Sequence, residues 1–229
     1  AAATASSARD REERKRRRLF LPPVLYEAAN DMMLATPQRG ASYEVVRKWW
    51  RMARQGRLNR KETSLDDAFL AEIFGQGLGY RGVTEGEQAH ERERQFTVPG
   101  VGPCDGAIGF FPPAKPENVR VVIELKGAQT HLDRDRAAGR TPVQQLWDYL
   151  NAMPPACMWG VLSNFTTIRL YHRGRGSQAY EQFRLREMVE NRKLFERFYA
   201  LFEPGGLLKE RLGEAPRAQA LLDRSVRQQ

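Results

Sequence analysis

One apolar run constrains this chain more than any other feature. Residues 119–123 read Val-Arg-Val-Val-Ile and pass directly into Glu124-Leu125-Lys126-Gly127. β-Branched side chains suit a pleated strand, and a near-continuous apolar run marks a strand covered on both faces, so a central strand is expected over 119–126. Strand side chains alternate between faces, which points Glu124 and Lys126 the same way from the strand's end. A carboxylate and an ammonium in that position cost desolvation energy unless they have a use.

The flanking sequence supplies partners for this strand. Residues 95–98 and 107–111 read as strands, with a turn at Gly100-Val101-Gly102-Pro103 between them, and Asp105 opens the second. The polar stretch 84–94 reads as a loop. Before it, Ser64 is a plausible N-cap with Asp67 three residues on, and Phe69, Leu70, Ile73 and Phe74 form one helical stripe that stops at Gly77-Leu78-Gly79-Tyr80. Asp66 falls on the inner face of that helix; the helix dipole at a first turn accounts for an acid there equally well. Earlier still, Val45, Val46, Trp49, Trp50 and Met52 recur at helical spacing among Arg47, Lys48 and Arg51.

Downstream, residues 127–140 are charged and poorly patterned. Thr141 as N-cap and Pro142 at the first helical position then start a helix that turns Val143, Leu146, Leu150 and Met153 inward and ends at Pro154-Pro155. Gln145 and Tyr149, four apart, share a neighbouring stripe of it. Residues 158–162 and 167–171 read as a strand pair turning near Ser163-Asn164, 180–185 as a further strand, and 188–202 as a closing helix.

Charge limits the partners. Lys and Arg number 37 against 28 Asp and Glu, for a net charge of +9, which favours polyanions such as nucleic acid or an anionic membrane surface. No run approaches the roughly 18 apolar residues of a membrane span and no signal-peptide core precedes the fold, so a cytoplasmic location is expected. Two cysteines, Cys104 and Cys157, and three scattered histidines form neither a zinc pattern nor a disulfide framework. Basic residues Arg16, Arg17 and Arg18 of the N-terminal arm, with Lys48 and Arg51 of the first basic helix, are the candidates for contact with DNA; for the arm, a solvated tail is the plainer alternative.

Asp105 opening one strand and Glu124 closing its neighbour can converge at one edge of a sheet. Hard cations such as Mg²⁺ need only one or two carboxylates, with water and substrate phosphate completing the shell. Lys126 could hold or polarise a metal-bound water or neutralise charge building on a phosphate, and Gln145 and Tyr149 would add neutral hydrogen bonds from the helix behind. Singly, Asp105 is a turn residue beside Gly106, Glu124 and Lys126 a surface ion pair, and Gln145 a solvent-facing amide. Only their combined order suggests a site for a phosphodiester.

That order resembles a known family. Asp105, then Glu124-Leu125-Lys126, looks like the metal-binding motif of the PD-(D/E)xK nuclease superfamily, and Gln145-Leu146-Trp147-Asp148-Tyr149 resembles the Q-x-x-x-Y motif of its RecB-like branch. The motif's Pro-Asp is here Pro103-Cys104-Asp105. Over residues 64–202, Leu78-Gly79-Tyr80, Trp159-Gly160-Val161-Leu162-Ser163-Asn164 and Arg169-Leu170-Tyr171 are similar to the N-terminal nuclease part of type IIG restriction-modification enzymes. The resemblance implies an α/β fold with a restriction-endonuclease-like core (α-β-β-β-α-β), a mixed sheet flanked by helices, and extra N- and C-terminal helices. It implies a basic arm at 1–18, an N-terminal helical region at 19–60, the nuclease core at 61–185 and C-terminal helices at 186–229 leading to a following domain.

Functionally it implies a Mg²⁺-dependent endonuclease on double-stranded DNA, with Mn²⁺ able to substitute, acting in restriction-modification or phage defence. Asp105 and Glu124 would bind metal, with Asp66 as a further ligand; Glu62 and Glu72 compete with Asp66 for that place. Lys126, Gln145 and Tyr149 would complete the catalytic set. A methyltransferase or specificity domain, on a longer chain or a partner subunit, would supply recognition, because no helix here announces itself as a base reader; with no Asn-Pro-Pro-Tyr motif in it, the chain reads as a module of a longer protein or as a separate subunit. A dimer would cut both strands. The alternatives are a non-cutting DNA-binding or assembly module of the same fold and a repair or recombination nuclease.

Overall fold

The computed structural model describes residues 17–35, 39–59, 63–85, 89–113, 117–208 and 215–228. Its helices are α1 (Pro22–Ala35), α2 (Arg39–Arg54), α3 (Thr63–Phe69), α4 (Pro142–Ala152), α5 (Leu185–Glu190), α6 (Arg192–Phe202), α7 (Pro204–Leu207) and α8 (Arg217–Arg227). The strands are β1 (His90–Arg94), β2 (Thr97–Val98), β3 (Gly102–Pro103), β4 (Gly106–Phe111), β5 (Asn118–Leu125), β6 (Trp159–Ser163), β7 (Thr167–His172) and β8 (Tyr180–Arg184). Six of them form one sheet in the order β1-β4-β5-β6-β7-β8, while β2 and β3 make a separate ribbon.

Every neighbouring pair in the large sheet is antiparallel except β5 and β6. A parallel pair requires a crossover, and α4 supplies it. The helix starts where the sequence indicates: Thr141 Oγ1 accepts from the Gln144 N–H at 3.2 Å while Gln144 Oε1 accepts from the Thr141 N–H at 2.9 Å, with Pro142 at the first turn. Leu146 and Leu150 then pack so closely on β6 that a Cβ at Gly160 would come within 2.9 Å of Leu150 and 3.1 Å of Leu146. A side chain there would force those leucine methyls aside.

β5 is the covered central strand expected. Val121, Ile123 and Leu125 share one core with Val24, Trp49, Phe69 and Phe198, whereas Val122 shares the opposite core with Leu146, Tyr149 and Leu150 of α4. The first of these cores also holds Leu19, Leu25 and Leu222, so the N- and C-terminal helices bury their apolar faces against the strands.

Local structure departs from the sequence-based expectation in four places. The stretch 84–94, read as a loop, contains β1: the run His-Glu-Arg-Glu-Arg has no apolar alternation because it forms the sheet's edge, where main-chain pairing to β4 makes the strand and charged side chains guard it. The helix that begins at Thr63 does not continue as α-helix; from Leu70 to Gly77 it is π-helical, and Leu78 N–H donates to the Ile73 carbonyl at 2.9 Å. Residues 95–98 pair only at β2, with β3. Finally the helix read over 188–202 is two, because Asn191 ends α5 and caps α6 by accepting from the Lys193 N–H at 3.1 Å.

Candidate active site

Register alone brings two carboxylates together. Gly106 pairs with Ile123 in the β4–β5 ladder, so Asp105 stands across from Glu124 at the next antiparallel step. Asp105 Oδ2 accepts from the Leu125 N–H at 2.7 Å, and its main-chain carbonyl accepts from the Gln95 N–H at 2.9 Å. The residue is thereby pinned between the ends of β1 and β5. Gln95 takes a left-handed φ of 50° to reach it.

Glu124 is a side-chain hydrogen-bond partner of Asp105, and Lys126 Nζ pairs with Glu124 Oε1. The Glu124 side chain is 2% exposed and that of Lys126 17%. Lys126 N–H continues the parallel ladder by donating to the Ser163 carbonyl at 2.8 Å, which fixes the ammonium's root on the sheet. Burial raises the Asp105 carboxyl above its ordinary pKa, and the Leu125 N–H, Lys126 and Glu124 offset that only in part. Glu124 thus meets both the Asp105 carboxyl and the Lys126 ammonium; two carboxyls in contact share a proton or hold a cation.

Behind the pair, α4 adds a neutral strut. Gln145 Nε2 donates to Tyr149 Oη at 3.1 Å, and Tyr149 Oη donates to the Pro103 carbonyl at 2.9 Å, two residues before Asp105. Burial raises the Tyr149 pKa and nearby Glu124, Cys104 and Asp105 raise it further, with Gln145 opposing, so the phenol stays a donor. Cys104 lies between the strut and the carboxylates, its Sγ 3.2 Å from the Gly106 carbonyl, and burial pushes its thiol up to about 12. In the sequence this cysteine has meaning only as a zinc or disulfide partner; both cysteines are buried and free.

The remaining candidates scatter. Asp66 is half-buried on α3, one turn before Leu70, whose methyl groups would lie 3.1 Å from a Cβ at Gly106. Among the described residues no group of three or more His, Cys, Asp or Glu is placed to hold a metal. Glu72 has a structural task, accepting from Trp49 Nε1 at 2.9 Å and Lys48 Nζ at 2.8 Å. Glu62 and Arg16 lie outside the described residues. Arg17 donates its N–H to the Gln178 carbonyl at 3.0 Å and accepts from the Tyr180 N–H at 3.0 Å, which attaches it and Arg18 beside β8. β8 is three strands from β5, roughly 14 Å at ordinary strand spacing. Arg51 is exposed on α2.

The carboxylate pair fits a hard cation. Mg²⁺ is held by proteins through as few as one or two carboxylates, and Mn²⁺ favours the same oxygen donors. Asp105 and Glu124, in contact beside Lys126, offer oxygen donors of that kind.

A second buried cluster has no counterpart in the sequence pattern. Cross-strand partners run Glu124, Leu162, Arg169, Gln182 along one row. Arg169 makes a bidentate pair with Asp133 at 2.7 and 2.8 Å, bonds Gln182 Oε1 at 2.8 Å, and stacks over the Tyr180 ring at 4.4 Å. Asp133 belongs to the 127–140 segment, whose course this pair determines. The Arg169-Leu170-Tyr171 triplet stands out in the sequence, but its partner 36 residues away carries no local signal.

Comparison with known proteins adds nothing to this geometry: no family model matches the chain, and neither a curated protein nor a solved structure matches it. Among the described residues no helix is long and apolar enough to cross a membrane.

Proposed function

We propose that this chain is a Mg²⁺-dependent DNA endonuclease of the PD-(D/E)xK kind with Asp105, Glu124 and Lys126 as its catalytic set. One observation carries the reading: Asp105 and Glu124 meet across β4 and β5 with the Lys126 ammonium on Glu124. The run α3, β1, β4, β5, α4, β6 follows the helix, three strands, helix, strand order of the restriction-endonuclease-like core, which supports it.

Asp105 and Glu124 would hold the cation. Bound there, Mg²⁺ would supply positive charge to the scissile phosphate and lower the pKa of a water. Lys126 would hydrogen-bond a non-bridging phosphate oxygen as charge builds on it, while the attacking water gives up a proton to solvent and the opposite P–O bond breaks, its departing oxygen taking a proton from solvent. Gln145 and Tyr149 act one layer back: by gripping the Pro103 carbonyl they set where Asp105 stands, which makes them positioning residues. Such a module suits a restriction-modification or phage-defence system in which a methyltransferase or specificity domain reads the sequence, since cleavage chemistry is fully served by phosphate contacts.

Lys126→Ala is expected to lower Mg²⁺-dependent nicking of plasmid DNA by at least about 10²-fold while duplex binding persists. Full nicking by that variant would end the proposal. The lack of a three-ligand group among the described residues favours one rival, a non-cutting module of the same fold. Calorimetry separates the two: a nuclease takes up Mg²⁺ at a site that Asp105→Ala removes, and the rival shows no such site.

A further inference from the structure

The loop that leaves Lys126 runs over residues 126–141 without regular secondary structure. Connections beyond about 12–15 residues are uncommon in compact domains and are usually functional or disordered. This one is held. Asn164 Nδ2 donates to the Thr130 carbonyl at 3.0 Å, Leu132 is buried in the α4-side core, and Asp133 is clamped by Arg169.

Of its two acids, Asp133 points inward to Arg169, and Asp135, exposed between Arg134 and Arg136, accepts from the His131 N–H at 2.8 Å. Arg134 and Arg136 stand on the exposed side, with Arg136 Nη1 braced against the Gly139 carbonyl at 2.7 Å in a turn where Ala138 and Gly139 have φ of 49° and 79°. At the other end, Gln129 Nε2 donates to Asn59 Oδ1 at 2.8 Å. Asn59 closes the turn after α2; Arg51 and Arg54 at the end of the helix and Arg57 in the turn are exposed to solvent. The Trp49 ring of α2 lies 5.9 Å from that of Phe165 in the β6–β7 turn, so the helix's C-terminal half sits at the sheet end that carries Lys126.

We propose that Arg51 and Arg54 of α2, Arg57 of the turn after it, and Arg134 and Arg136 of the 126–141 loop, joined by the Asn59–Gln129 bond, form one basic track that grips the phosphate backbone of duplex DNA beside Lys126. This rests on the nuclease reading and assigns its substrate contact. Duplex is favoured over single strands because single-strand binders line their grooves with stacking aromatics. The exposed aromatic side chains among the described residues are Tyr26 on α1 and Phe110 on β4, neither on the track.

The test measures binding of a labelled duplex without added metal, across a salt series. Removing one arginine–phosphate ion pair should lower the slope of log K against log salt by about 0.9. Arg54→Ala/Arg57→Ala and Arg134→Ala/Arg136→Ala should each reduce it by about 1.8, their Arg→Lys counterparts should retain it, and Arg186→Ala, on α5, should leave it unchanged. Parent-like thermal unfolding of each variant guards against misfolding. Unchanged slopes in both alanine pairs overturn the track. Tighter binding of single strands than of duplex overturns its substrate. If the unsubstituted chain binds no DNA, the nuclease reading itself falls.

Discussion

Two buried charge clusters lie on one cross-strand row on the α4 face, and they are balanced in opposite senses. At Arg169 a single guanidinium meets a single carboxylate bidentately, with Gln182 and the Tyr180 ring taking up its remaining donors and face. At Glu124 two carboxyls meet one ammonium. Their titration follows. Burial pushes Asp133 up, but the Arg169 hydrogen bond and charge outweigh it and hold the carboxyl below its ordinary pKa; Asp105 has no equal compensation and stays above. A paired buried charge shapes the fold, whereas two carboxyls in contact invite a proton or a cation.

The hardest test of this contrast is stability. Arg169→Ala strands Asp133 beneath the loop and is expected to cost roughly 3 kcal/mol in urea unfolding, the lower end for a broken buried pair because Asp133 is 32% exposed. Asp105→Asn in the cation-free protein should cost far less or stabilise. Equal losses in the two variants would erase the distinction.

Stability against pH sharpens it at smaller amplitude. Asp133, with a depressed folded pKa, contributes stability above its unfolded pKa of about 3.9 that is lost as pH falls through the folded value. Asp105, with a raised folded pKa, behaves oppositely: its contribution is present below about 3.9 and is lost as pH rises through the folded value. Asp105→Asn should therefore remove a decline on the rising side, and Asp133→Asn one on the acid side. Swapped or absent effects would show that pairing does not set these two carboxyls apart.

The smallest effect belongs to the strut. Tyr149→Phe deletes the bond to the Pro103 carbonyl and takes from Gln145 its acceptor, for about 1 kcal/mol by the same unfolding measurement. Nicking should fall more than stability suggests, since the carbonyl it releases positions Asp105. If nicking is unchanged, the strut is structural only.

Much of the site was legible because its signals are local. Glu124 and Lys126 share a face by strand alternation, and Gln145 and Tyr149 share a stripe by helical spacing; both arrangements hold whatever the rest of the chain does. Asp105 was legible as the mouth of a hairpin. Arg169 and Asp133 were not, since each is an ordinary charged residue until β6 carries β7 under the loop. β1 is hidden for a related reason: an edge strand is made by its neighbour's main chain, and charged side chains conceal it from any hydropathy pattern. Asp66 shows the converse, an acid read on the inner face of its helix that is half-buried on α3 and is not drawn into a three-carboxylate group among the described residues.

Sequence by itself determined the covered central strand, the capped crossover helix and the facing of Glu124, Lys126, Gln145 and Tyr149, because those follow from backbone periodicity and side-chain shape over a few residues. Only tertiary structure decided which charges are neutralised. Whether a buried carboxylate is held low by an arginine or left high beside another carboxylate depends on which distant strand is its neighbour, and Coulomb energy in a poorly screened interior makes that neighbour decisive.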